Sequence, residues 1–143
     1  MMKNIVFLVF LITINSCNKK ESEGPSVNEA KQFDMYEMSE MSTLMEQMYI
    51  DNQRLKERLQ KGDTIGKFPD HFLKIHKAVM TDESEKDAFF KEQALLFIKS
   101  QQLIYEDPEN AEMHFNKGVD ACIRCHEVKC GGPIPRIRKL YIN

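Results

Sequence analysis

The stretch Asp107-Pro108-Glu109-Asn110-Ala111-Glu112-Met113-His114-Phe115-Asn116-Lys117-Gly118-Val119-Asp120-Ala121-Cys122-Ile123-Arg124-Cys125-His126 sets Ala111, Phe115, Val119, Cys122 and His126 at steps of four, four, three and four. That is the period of one face of an α-helix. Asp107 suits the position before a first turn and Pro108 suits the turn itself, so this pair is expected to cap and start the helix. Gly131-Gly132 should stop it, because glycine readily takes the left-handed conformation found there, and Pro133 should prevent resumption. The rest is then an extended tail, with Ile134, Ile137, Leu140 and Ile142 available to pack back.

Three further helices read outward from this one. Met38, Met41, Met45, Met48, Asn52, Leu55 and Leu59 alternate steps of three and four, predicting a long helix over residues 33–61 that Gly62 and Asp63 can end. Pro69 can open a short second helix with Phe72, Ile75, His76 and Val79 on its apolar side. Asp82-x-x-Glu85 resembles a capping box and predicts a third helix burying Phe90, Ala94, Phe97 and Ile104. Strand signals are essentially absent. The expected fold class is therefore all-α: an antiparallel up-down-up-down four-helix bundle whose last helix precedes an extended tail.

The chemistry lies at Cys122-Ile123-Arg124-Cys125-His126. In C-x-x-C-H spacing two thiols bond to haem vinyl groups while the histidine ligates the iron. On a helix the three side chains lie within roughly 100° of one another, facing one porphyrin. Cys122 and Cys125 are thus the expected thioether sites of one covalent haem c, and His126 the proximal iron ligand, which points to a c-type cytochrome. Two other readings use the same residues. Cys122, Cys125, His126 and Cys130 have the right types for zinc, but Cys122 and Cys130 would be about 12 Å apart along a continuous helix. A thioredoxin-like pair would need its first thiol at a helix N-terminus after a strand.

With this motif on the last of four helices, the chain resembles the cytochrome c prime family over most of its length after the N-terminal region. The resemblance implies a haem-binding domain over residues 33–143 and a first-helix residue above the distal haem face. It also implies pairing through the first two helices into a homodimer. The family usually carries a basic residue four positions after its histidine and ends soon afterwards; this chain has Cys130 there and runs on to Asn143.

The sixth iron position is expected to decide the function. Met35, Met38, Met41, Met45 and Met48 crowd the first helix, where a methionine stripe ordinarily fills a core. A thioether is nevertheless a good soft ligand for haem iron. Met45, mid-helix, is the candidate distal ligand, with Met41 and Met48 as alternatives one turn away. His76 competes from the second helix, expected to be buried; His114, about 120° around the helix from His126, cannot reach the opposite haem face. Cys130 is left over and reads as a packed free thiol. Arg136, Arg138 and Lys139 are candidates for pairing with haem propionates beneath a tail that covers a haem edge.

Residues 1–16 read as an export signal: Lys3, an apolar run from Ile5 to Ile14, and Ile14-Asn15-Ser16-Cys17, which resembles a bacterial lipoprotein lipobox. The run is shorter than the roughly twenty residues that span a bilayer. The resemblance implies lipidation at Cys17, with residues 17–32 a polar tether. Without Lys3, the 20 Lys and Arg become 19 against 22 Asp and Glu, a formal charge of −3 that does not suggest nucleic acid. The expected protein is a membrane-anchored monohaem cytochrome in the bacterial cell envelope, facing the periplasm or on the outer membrane. It would carry single electrons between redox protein partners and would not be an enzyme. The alternative is binding of nitric oxide or carbon monoxide at an open distal site.

Overall fold

The computed structural model describes residues 37–143. The signal, Cys17, the tether and Met35 lie outside them. The described chain is all-α. Three long helices, α1 (Glu40–Lys61), α2 (Ala88–Glu106) and α3 (Ala111–Lys129), are followed by the short α4 (Ile134–Ile137) and a 3-10 turn at Arg138–Leu140. Among the described residues no helix is long and apolar enough to cross a membrane.

Helix α1 begins later than its methionine pattern suggests. Ser39 caps it, its Oγ accepting from the Ser42 amide at 3.2 Å, which leaves Met38 before the first turn and exposed. The far end matches expectation: Gly62 adopts φ 68°, and the Gly62 and Asp63 amides donate to the Leu59 and Arg58 carbonyls.

The expected second helix is a 3-10 segment, Asp70–His76, that buries Phe72 and Ile75 but exposes His76 and Val79. A 3-10 segment repeats every three residues, so only Phe72, Ile75 and Ala78 keep to one side. Asp82 caps a 3-10 turn, Glu83–Glu85, and Asp87 caps α2 instead, accepting from the Phe90 amide at 2.9 Å. Asp107 also departs from its expected role, because its carboxylate bonds the Asn110 side chain and His114 Nε2 rather than a first-turn amide. That arrangement uses buried His114 and holds the Asp107 carboxyl below its usual range.

The C-terminal segment is not extended. Helix α3 ends at Lys129, and neither Gly131 nor Gly132 has positive φ. Pro133 precedes rather than blocks the next helical turn as its N-cap, and Pro135 sits within that turn's first two positions, where the fixed φ of proline is tolerated. Ile137, Leu140 and Ile142 pack inward as their apolar character suggests.

Helices α2 and α3 form the most extensive pair. They run antiparallel, with Gly118 beside Gln101 and Lys129 reaching Asp87 at 2.6 Å. Two apolar clusters result. One gathers Met41, Leu44, Met48, Phe72, Ile75, Phe90, Ala94 and Phe97; the other gathers Leu55, Ile104, Phe115, Val119 and Ile123 with the C-terminal segment. Asn52 and Gln101 form a buried amide pair at 2.8 Å. Phe115 is fully buried, so Phe115→Ala should cost about 3–5 kcal/mol, read as a lower thermal midpoint with no loss of helical signal below the transition.

Candidate haem site

Cys122, Cys125 and His126 stand on the single continuous helix α3, as their spacing requires for facing one planar group. Cys122 packs against both apolar clusters, and Cys125 against the first. Burial, reinforced by the neighbouring Cys125, pushes the Cys122 thiol up to about 12; burial also raises Cys125 despite the opposing influence of Lys129. Burial thus opposes ionisation of both thiols. Zinc binding and disulfide exchange use the thiolate, the form that burial opposes here. Among the described residues no three His, Cys, Asp or Glu side chains are grouped as they would be around one metal ion.

His126 is oriented by the end of its own helix. Its Nδ1 lies 2.9 Å from the Cys130 carbonyl oxygen. A carbonyl can only accept, so Nδ1 carries a hydrogen, and in the neutral imidazole Nε2 is then the nitrogen with the lone pair. This is how a backbone acceptor prepares an imidazole for metal ligation. The packed thiol expected at Cys130 is in fact exposed; its backbone, rather than its sulfur, meets the site.

Two small cavities, of about 60 and 30 Å³, share Met45, Met48, Phe97, Cys122 and His126 as walls. The larger is completed by Tyr49, Arg136, Ile137 and Leu140 among others, and the smaller by Ile75, Phe90, Gln93 and Cys125 among others. Met45 and Met48 thus share cavities with the C-x-x-C-H residues. Met41 is buried in the core and lines neither cavity. His76 is exposed and lines neither.

The C-terminal segment reaches this site through Arg136, Ile137 and Leu140. Arg136 makes a two-pronged ion pair with Glu46, at 2.7 and 2.9 Å, and lies 4.0 Å over the Tyr49 ring. Arg138 and Lys139 are exposed. Sequence periodicity also missed Gln93, a buried amide on the wall of the smaller cavity with an unpartnered Oε1. Its one signal was its position, three residues after Phe90 and four before Phe97, on a face where apolar residues otherwise recur.

No protein-family model, curated protein or solved structure matches this chain.

The donor set suits haem c on chemical grounds: two thiols, one imidazole with a free Nε2, thioether sulfurs nearby and mostly apolar walls. The cavities are smaller than the ~300–1,000 Å³ typical of ligand pockets. Met45 and Met48 are flexible enough to yield part of the missing room.

Proposed function

We propose that the chain is a lipid-anchored monohaem c-type cytochrome that carries single electrons between redox partners in the bacterial cell envelope. The observation that carries this reading is the His126 Nδ1 contact to the Cys130 carbonyl, which leaves Nε2 free to ligate a haem iron beside two cysteines at haem-attachment spacing. Cys122 and Cys125 would each add S–H across a vinyl group, sulfur to one carbon and hydrogen to the other, so attachment would consume no oxidant. When bound, haem supplies a one-electron iron couple whose potential rises with thioether ligation. Phe97, Ile75 and Phe90, which line the smaller cavity, would keep water from its apolar surface, and Met45 is the candidate sixth ligand, with Met48 one turn along α1.

In this reading α1, the Asp70–His76 segment, α2 and α3 stand for the four members of a cytochrome c prime-like bundle. The lipid at Cys17 would hold the domain at a membrane surface, facing the periplasm or on the outer membrane, and a homodimer would follow from the same resemblance. The second reading, reversible binding of nitric oxide or carbon monoxide, is favoured by the mainly apolar cavity beside His126.

Absorption spectra of haem-loaded protein, oxidised and reduced, before and after carbon monoxide, separate the two. The expected result is a low-spin spectrum with a sulfur–iron band, indifferent to the gas, and loss of that band in Met45→Ala. A high-spin spectrum that shifts with carbon monoxide would remove Met45 as ligand and place gas binding first.

A further inference from the structure

We infer that Lys129 is a positioning residue for His126: by pairing with Asp87 and Glu85 it fixes the last turn of α3, and with it the Cys130 carbonyl that orients the imidazole. That Nε2 is thereby aimed at an iron rests on the haem reading; the clip itself does not.

The contact that orients His126 lies where a helix is weakest. The last carbonyls of a helix have no partner within it, and terminal turns fray. The residues that follow are Gly131 and Gly132, and neither takes the positive φ that closes a helix end with extra hydrogen bonds. Cys130 meets His126 twice, its N–H donating to the His126 carbonyl at 3.1 Å and its own carbonyl accepting from Nδ1 at 2.9 Å. Both bonds would be lost together if this turn unwound. Burial does not hold the turn, because every residue from Glu127 to Gly132 is exposed except Lys129.

The Lys129 side chain is only 16% exposed, and its Nζ lies 2.6 Å from Asp87 and 2.7 Å from Glu85. A single exposed ion pair holds little. Here one ammonium, mostly withdrawn from solvent, is shared by two carboxylates, and one of these is itself fixed. The other oxygen of Asp87 caps α2 by accepting from the Phe90 amide at 2.9 Å. The end of α3 is thus tied to the start of α2, and the tie is the residue next to the carbonyl that orients His126.

The test is NMR of the haem-free full chain with isotope-labelled histidine, well above the ordinary histidine range of pH. The spectra show which ring nitrogen carries the hydrogen, and the His126 signal is the one missing from His126→Gln. Unaltered His126 is expected in the Nδ1–H form, although an unpartnered imidazole prefers Nε2–H. Lys129→Met should lower the ratio of Nδ1–H to Nε2–H about fivefold, the usual net effect of one hydrogen bond. Lys129→Arg, which keeps the charge for both carboxylates, should hold the ratio near its original value. Lys129→Gln serves if the methionine variant does not fold. Phe115→Ala weakens the core about three turns earlier on α3 and should leave the ratio unchanged below its thermal transition, which separates positioning from general loosening. An unchanged ratio in Lys129→Met, or an equal fall in Phe115→Ala, would overturn the clip alone. Unaltered His126 in the Nε2–H form would overturn the contact on which the haem reading and this inference both stand. An Nδ1–H form in a chain that takes up no covalent haem would overturn the haem reading alone.

Discussion

A chain carrying Cys122→Ala and Cys125→Ala, exported in a haem-attaching bacterial host, is expected to contain no covalent haem, whereas the unaltered chain contains one. The comparison is made by intact mass and by whether haem survives acid–solvent extraction. The effect is complete because a thioether cannot form without sulfur. Helical content should persist, since both positions lie within α3 and alanine is the strongest helix former. His126→Ala provides the complementary case: covalent haem remains, but the proximal imidazole and its contact to the Cys130 carbonyl are gone, and the low-spin spectrum goes with them. Absence of haem from the unaltered chain under conditions that load a control cytochrome would end the cytochrome reading.

Truncation after Gly132 is expected to remove most of the stability of the domain. Ile137, Leu140 and Ile142 are each more than nine-tenths buried, and a buried aliphatic side chain contributes about 1.5–3 kcal/mol. The segment is also held by polar contacts from two helices. Lys56 on α1 donates to the Lys139 and Tyr141 carbonyls at 2.9 and 2.6 Å, while the Asn116 amide on α3 bonds both the N–H and the carbonyl of Ile142. Against a typical total of about 5–15 kcal/mol, loss of three such anchors takes most of the folding free energy or all of it. Thermal unfolding followed by circular dichroism should show a midpoint at least ~15 °C lower, or no cooperative transition. Leu140→Ala alone should cost about 2–5 kcal/mol. A midpoint within a few degrees for the truncated chain would mean that the segment only rests on the surface. It would also undo the suggestion that the segment is part of the haem-site wall.

Much of the helical framework is legible from local periodicity. Phe90, Ala94, Phe97 and Ile104 on α2, and Ala111, Phe115 and Val119 on α3, are buried where a 3.6-residue repeat puts them. The C-x-x-C-H residues share a helix for the same reason, since their spacing is meaningful only within one short segment. Choices between neighbouring local options were less legible. Asp82 and Asp87 are both acceptable caps five residues apart, and burial of Phe90 accompanies the later one. Pro133 is compatible with ending a helix or beginning one.

By itself, then, the sequence determined an all-α chain, the face of each long helix that turns inward, and a thiol, thiol and imidazole set on one helix. These follow from side-chain type and from spacings of three and four residues, which backbone geometry converts directly into direction. Only the tertiary structure decided that His76 faces solvent, that Met45 and Met48 but not Met41 share cavities with His126, and that the C-terminal segment folds into helical turns against α1 and α3. It also decided that the Cys130 carbonyl receives the His126 Nδ1 hydrogen and that buried Gln93 lacks a partner among the described residues. Each of these depends on which distant surfaces meet and on what burial does to a polar group there, and no local repeat encodes that.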